Sequence, residues 1–127
     1  MKHPYAELIG LQVEEQRAGF SRCRLEVESK HCNPHDVAHG AVLYALADTG
    51  MGAALYPTLD PGQICATIQV TMNYLKPVAS GVITCTTELV SRGKATANLQ
   101  SRLFSGKVLV ATASGNYSIF RPGGNAA

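Results

Sequence analysis

Residues 38 to 55 read AHGAVLYALADTGMGAAL, an almost wholly apolar stretch that lacks the alternation of a strand. The stretch predicts one helix over its whole length, and a helix that is apolar on every side is a buried helix. Gly40, Gly50 and Gly52 lie inside it, although each glycine costs about 1 kcal/mol of helix stability relative to alanine. We therefore expect another backbone or a ligand to approach the helix closely, and we expect Pro57 to mark its end.

Strand-forming segments lie on both sides of this helix. Before it, Leu11 and Val13 begin one strand, Ala18-Gly19 forms a turn, and residues 23–28 alternate as a second strand with one solvated face. After the turn at residues 60–62, short turn sequences separate four segments rich in strand formers. These segments are Ile64–Leu75, Val82–Val90, Ala95–Phe104 and Val108–Phe120.

The order of these elements predicts an α+β domain in which an antiparallel sheet covers a single helix. A parallel sheet is disfavoured because no crossover helix connects the last four strands. We predict one domain over residues 1–120 and a disordered tail over residues 121–127.

Composition excludes several classes of function. The chain has 127 residues, the size of one domain, and its net charge of +2 comes without a basic run that would bind nucleic acid. No apolar stretch approaches the roughly 20 residues that span a bilayer, and no signal core follows the N-terminus, so we expect a soluble cytoplasmic protein. The four cysteines show no CxxC spacing and are predicted to be reduced packing residues. They are Cys23, Cys32, Cys65 and Cys85.

Asp48 is the one carboxylate of the apolar helix. Burying an ionised carboxylate without partners costs several kcal/mol, so this side chain must be paired, face a cleft or serve a function. The sequence leaves two interpretations open. Asp48 is either a catalytic group or a structural carboxylate held by a nearby hydroxyl such as that of Thr49.

His39-Gly40 stands at the start of the same helix. Free N–H groups and the positive end of the helix dipole suit a developing oxyanion, and a glycine there lets a substrate carbonyl approach. The alternative is an ordinary helix cap followed by an incidental glycine.

Two other kinds of site are disfavoured. His31, His35 and His39 would align as metal ligands on a continuous helix, but Pro34 interrupts one, so we predict no metal site. A nucleophilic serine or cysteine is also unsupported, because there is no Gly-x-Ser-x-Gly elbow and Cys32 is a neighbour of His31 in sequence only.

The spacing of Asn33, His39-Gly40 and Asp48 resembles that of the PaaI-like hotdog acyl-CoA thioesterases. The resemblance covers most of the chain and continues in Leu46-Ala47-Asp48, Asn73-Tyr74-Leu75-Lys76-Pro77, Gly81 and Arg92-Gly93-Lys94. It implies the hotdog fold, in which an antiparallel sheet wraps around one long central helix. It also implies hydrolysis of an acyl-coenzyme A with no cofactor, since coenzyme A is part of the substrate.

The resemblance also implies roles for residues. Asp48 attacks the thioester or activates a water that Thr67 helps to hold, while the Gly40 N–H polarises the carbonyl with help from Asn33, and His39 shapes the loop. Substrate-binding positions carried over in the same way are Ala41, Lys76, Pro77, Arg92, Gly93 and Lys94. The family pairs its subunits through their sheets, so we expect a dimer or tetramer in which Asp48 faces Asn33 and Gly40 of a partner.

The chain departs from the family pattern at two positions. Asp36 replaces a common glycine and adds a negative charge near a site for a polyanion, whereas Ala41 replaces a second glycine and can still supply its N–H. Two alternatives stay open: a non-catalytic acyl-CoA-binding hotdog protein, and a hotdog enoyl-CoA hydratase or dehydratase. The motif of the latter, Asp-x-Asn-Pro-x-His, has His31 and Asp36 at its acid–base positions here, so that pair is missing.

Overall fold

The computed structural model of the chain describes residues 2–123 and contains a six-stranded antiparallel sheet and one long helix. The helices are α1 (Pro4–Ile9) and α2 (Gly40–Leu55), and short 3-10 turns occupy Ser29–His31 and Tyr56–Thr58. The strands are β1 (Gln12–Arg17), β2 (Phe20–Val27), β3 (Ile64–Tyr74), β4 (Gly81–Arg92), β5 (Thr96–Ser105) and β6 (Val108–Phe120). The sheet has the order β1-β2-β4-β5-β6-β3, which confirms the predicted hotdog fold.

The predicted central helix exists, but it begins two residues later than expected. His39 is its N-cap, with an extended backbone (φ −62°, ψ 139°) and a ring Nδ1 that accepts the N–H of Ala41 at 2.9 Å. The helix ends at Leu55, and Pro57 lies in the 3-10 turn that follows, as predicted.

Several strand bounds differ from the prediction. β1 begins at Gln12 rather than Leu11, β2 covers Phe20–Val27 rather than residues 23–28, and three of the four later strands differ at one or both ends. Gly81, Ser91 and Arg92 belong to β4 rather than to connecting segments, and a bulge between Leu89 and Ser91 lets this strand continue. β3 ends at Tyr74, and β5 runs from Thr96 to Ser105. The predicted tail lies partly outside the described residues, since only residues 121–123 of it are described, without helix or strand.

Helix α1 was not predicted. Its six residues are too few to show a periodic pattern, and local chemistry defines its ends. The ring Nδ1 of His3 accepts the N–H of Ala6, Pro4 occupies the first helical position, and Gly10 closes the helix with φ 78°.

The prediction that α2 is buried on every side is wrong. Leu46, Met51 and Leu55 pack wholly inside, against the sheet. Tyr44 is 37% exposed and Asp48 is partly exposed, because the sheet of one chain covers only part of the helix surface. The helix therefore has an open side that carries its only carboxylate. Neither this helix nor any other within residues 2–123 is both long and apolar enough to cross a bilayer.

Of the two glycines in the second half of α2, Gly50 and Gly52, only Gly50 lies where another part of the chain approaches the helix closely. A Cβ at Gly50 would lie 2.8 Å from Oγ1 of Thr87, and the hydroxyl of Ser21 donates to the Gly50 carbonyl at 2.6 Å, so strands β2 and β4 approach the helix closely here. A Cβ at Gly52 would meet no heavy atom within 4 Å, so no described part of this chain approaches the helix closely at that position.

Cys23 and Cys85 lie opposite each other on β2 and β4, and both are free and fully buried. Burial raises the pKa of the Cys23 thiol to about 12 and that of the Cys85 thiol to about 11. Both thiols are thus protonated near neutral pH, and the thiolate is the reactive form. These two residues are packing residues, as predicted.

We expect a disulfide reagent at neutral pH to leave Cys23 and Cys85 unmodified in the folded protein and to modify all four cysteines after unfolding. Mass spectrometry of the labelled peptides checks the assignment, with the partly buried Cys32 as the internal control. Rapid labelling of Cys23 or Cys85 without unfolding would contradict the packing seen here.

Candidate active site

The Asp48 carboxylate is held by two hydroxyl groups from the sheet. Its Oδ1 accepts a hydrogen bond from Thr67 Oγ1 at 2.7 Å and another from the Tyr117 hydroxyl, which also lies 2.9 Å from the Asp48 carbonyl oxygen. Thr49 makes no side-chain hydrogen bond to Asp48 within the described residues, so the proposed local partner is wrong. The partners come instead from β3 and β6.

A bulge in β3 aims Thr67 at the helix. Thr67 pairs with Tyr117 and Gln69 pairs with Asn116, which leaves Ile68 as an extra residue in β3. Because side chains alternate along a strand, the extra residue changes which positions face inward. Before it, Cys65 and Thr67 face the helix, and after it Val70 and Met72 pack against the core.

Tyr117 is the site residue that the sequence analysis missed. It is only 2% exposed, and its burial raises the pKa of the hydroxyl, with the hydrogen bond to Asp48 raising it further. Tyr117 therefore stays protonated at neutral pH and remains a hydrogen-bond donor.

The N-terminus of α2 leaves one backbone donor free. The Ala41 N–H, expected to face substrate, is taken by the ring of its N-cap, His39. The Gly40 N–H has no partner among the hydrogen bonds within residues 2–123. Tyr74 donates to the Gly40 carbonyl at 2.8 Å, and a Cβ at Gly40 would lie 3.1 Å from the Tyr74 ring. A side chain at position 40 would therefore displace the exposed Tyr74 ring by a few tenths of an ångström.

The loop before α2 positions Asn33. Its Oδ1 accepts the N–H of His35 at 2.8 Å, and its own N–H donates to the Val37 carbonyl at 2.8 Å. Asp36 has a left-handed backbone with φ 63°, a conformation that glycine adopts most readily. The loop therefore keeps a glycine-like turn with an exposed Asp36 side chain. The Asn33 amide nitrogen has no partner among the described residues and can donate to a ligand.

The three histidines do not converge on one point. His31 is 3% exposed, its Nδ1 accepts the Glu28 N–H at 2.8 Å, and its Nε2 donates to the Ile9 carbonyl at 2.7 Å. Its Nδ1 therefore stabilises the turn after β2, and its Nε2 connects that turn to α1. Within residues 2–123, no three His, Cys, Asp or Glu side chains are placed to hold a metal ion.

The positions expected to bind coenzyme A lie at two ends of α2. Lys76 and Pro77 border an apolar cleft of about 340 Å³ beside Gly40. At the other end, Arg92 donates to the side chain and carbonyl of Thr58, to Oε1 of Gln63 and to the Gly93 carbonyl. Arg92 therefore fastens the turn after α2. Its neighbours Gly93 and Lys94 are exposed.

The site residues form two groups, one around the middle of α2 and the other at its N-terminus. Asp48 and Thr67 form the first, and Asn33, His39 and Gly40 form the second. Gly40 and Asp48 are eight positions apart, which places them about 12 Å apart along the helix axis. Reacting atoms must lie within about 3.5 Å of one another, so one chain cannot apply both groups to one carbonyl.

Known proteins share this fold and are about 30% identical to this chain in sequence. Residues 35–112 match the thioesterase superfamily. Putative esterase PA0474 of Pseudomonas aeruginosa is 33% identical over 75% of this chain and 72% of its own length. Acyl-coenzyme A thioesterase PaaI of Escherichia coli is 28% identical over 72% of this chain and 64% of its own length. The solved structure of TT0310 protein from Thermus thermophilus superposes with a TM-score of 0.85 and 30% identity, covering 93% of this chain and 98% of that one.

Proposed function

Because the chain belongs to the thioesterase superfamily and is a thioester hydrolase, we propose that it hydrolyses acyl-coenzyme A with Asp48 as its catalytic carboxylate. One observation carries this proposal: the carboxylate sits on the open side of α2 with Oδ1 held by two donors and Oδ2 unbonded within the described residues. Two relatives support the substrate class by their names, acyl-coenzyme A thioesterase PaaI and 1,4-dihydroxy-2-naphthoyl-CoA hydrolase.

The chemistry follows from the two groups of residues. Asp48 either takes a proton from an attacking water or bonds directly to the acyl carbon. As the carbonyl oxygen gains charge, the free Gly40 N–H and the Asn33 amide donate to it, at the positive end of the helix dipole. The C–S bond then breaks, the coenzyme leaves as a thiolate that takes up a proton, and the acyl group leaves as the carboxylic acid. In the direct-attack route, breaking the C–S bond leaves the acyl group on Asp48 as an anhydride. Water then hydrolyses the anhydride and releases the carboxylic acid.

We propose that each site is shared by two copies of the chain, because Gly40 and Asp48 of one chain are too far apart. In a two-fold dimer, Asp48 of one copy can face Gly40 of the other, and both sites are equivalent. The β3 edge supports this pairing. β3 has 11 residues and no charge, with Ile68 59% exposed, whereas the opposite edge, β1, carries Glu14, Glu15 and Arg17. Charged edges resist pairing and uncharged edges invite it. Two such dimers can associate as a tetramer.

The cleft beside Gly40 is proposed to hold the part of the substrate that adjoins the carbonyl. Val37, Leu43 and Leu75 give it an apolar lining, and Lys76 adds a cation at its border. In the two-fold dimer, the turn between β4 and β5 of the partner, near the far end of its α2, supplies Lys94 as a further cation for the phosphates. Arg92 contributes indirectly, since its donors are used within the chain.

A panel of coenzyme A thioesters tests the function. We expect the purified protein to release free thiol from at least one aliphatic or aromatic acyl-CoA at about 1 s⁻¹ or faster, the usual range of enzyme turnover. Light scattering on the same sample should show a dimer or a larger assembly. Thioester binding without thiol release would favour the non-catalytic binding protein. Hydration of an enoyl-CoA without thiol release would favour the hydratase, and a fully active monomer would exclude the shared site.

A further inference from the structure

Tyr117 reaches Asp48 from an interior strand of the sheet, β6. It lies on the inner face of β6, directly opposite Thr67 of β3 on one side and Ala97 of β5 on the other, and it is buried. Its hydroxyl has one proton to donate and lies against both the Asp48 carbonyl oxygen, at 2.9 Å, and the carboxylate Oδ1. The charged oxygen is the stronger acceptor.

Both donors to Asp48 bind the same oxygen. Thr67 and Tyr117 converge on Oδ1, one from each of two paired strands, and this fixes both the rotation and the tilt of the carboxylate. Within residues 2–123, Oδ2 has no hydrogen bond, so the two oxygens of Asp48 differ in their surroundings. Thr67 alone is an exposed side chain on an edge strand, whereas Tyr117 is locked by packing.

We propose that Tyr117 is a positioning residue for the reaction: its hydroxyl pins Oδ1 of Asp48 so that Oδ2 is the oxygen presented to the water or the thioester. This inference rests on the proposed role of Asp48. Catalytic groups must be held near their reactive geometry by neighbours whose own positions are fixed, and a buried tyrosine on a central strand meets that need.

Tyr117→Phe tests the proposal because it keeps the ring and removes only the hydroxyl. The variant loses a hydrogen bond to a charged group, so Asp48 is no longer held in its reactive position. We expect kcat to fall about 10-fold or more, with KM within about twofold of the wild type. The same substitution in an Asp48→Asn background should leave the residual kcat within about twofold, because no base remains to be positioned.

Ser21→Ala is the matched control. Ser21 is a buried hydroxyl that donates to the carbonyl of Gly50 on the same helix but does not touch the carboxylate. We expect this variant to lower the melting temperature while kcat per folded molecule stays within about twofold of the wild type.

Each outcome separates the two claims. A folded Tyr117→Phe variant with near-normal kcat, beside an inactive Asp48→Asn variant, overturns the inference alone. A near-normal Asp48→Asn variant overturns both the inference and the proposed function. If Tyr117→Phe does not fold, incorporation of a fluorinated tyrosine at position 117 keeps the shape and strengthens the donor. We then expect kcat to change severalfold with KM steady, and an unchanged kcat overturns the proposal.

Discussion

Replacing Asp48 by asparagine should lower kcat about 10²- to 10⁴-fold, the usual loss when a general base is removed, while KM changes little. The amide oxygen of asparagine can still accept the hydrogen bonds of Thr67 and Tyr117. The amide nitrogen then takes the place of Oδ2 and cannot accept a proton. Turnover of the best thioester by the purified variant, measured beside its melting temperature, checks this prediction.

Asp48→Ala provides the contrast in stability. It removes the charged acceptor and leaves the buried Tyr117 hydroxyl with only the backbone carbonyl oxygen of residue 48, and this exchange of a charged for a neutral acceptor costs about 1 kcal/mol. We therefore expect Asp48→Ala to melt at a lower temperature than Asp48→Asn, although both are inactive. The interpretation of Asp48 as a purely structural carboxylate predicts the opposite for asparagine: a lower melting temperature with normal turnover per folded molecule.

Replacing Gly40 by proline should lower kcat about 10²- to 10³-fold relative to the Gly40→Ala variant, because proline lacks the N–H proposed to stabilise the oxyanion. Gly40 is the first residue of α2, where proline is tolerated, and His39 already has the extended backbone (ψ 139°) that a residue before proline prefers. Steady-state kinetics of both variants with one thioester give the comparison.

Gly40→Ala is the matched control for this substitution. Both variants add a Cβ that meets the Tyr74 ring at about the same place, so any displacement of Tyr74 is common to the two. The two variants then differ in the proline ring, whose Cδ replaces the hydrogen of the N–H. A proline variant as active as the alanine variant would show that the Gly40 N–H does not take part in catalysis.

The sequence was sufficient to predict the sheet and the helix because their patterns are local. Alternation in residues 23–28 and the long apolar stretch that contains Asp48 identify elements whatever their neighbours are. The ends were less certain, since they depend on caps and bulges. The His39 cap moved the start of α2, and the bulge near Val90 extended β4 to Arg92.

The partners of Asp48 were beyond the reach of the sequence. Tyr117 is 69 positions away, and its sequence context does not distinguish it from any other inward-facing aromatic residue of a strand. Nothing in the order of residues around Thr67 predicts the extra residue, Ile68, that turns the Thr67 hydroxyl towards the helix. Such contacts depend on the register between strands that are distant in sequence. Asp48, by contrast, could be identified from residues 38–55 alone, because it is the one carboxylate of that apolar segment.

Which N–H groups at the start of α2 are free to bind a ligand was only partly predictable from the sequence. The free N–H of Gly40 follows from the general geometry of helix ends, but the capture of the Ala41 N–H by the His39 ring depends on a side-chain rotamer. The involvement of Arg92 with Thr58 and Gln63 likewise depends on how the turn after α2 meets the end of β4.

A hybrid of two inactive subunits tests the shared site most directly. One subunit carries Asp48→Asn and the other carries Gly40→Pro, with different affinity tags so that only the hybrid is purified. In the proposed dimer one site receives both lesions and the other receives neither, so the hybrid should show about half the activity of the wild-type dimer. A hybrid as inactive as its two parents would contradict the claim that Asp48 of one chain acts with Gly40 of another.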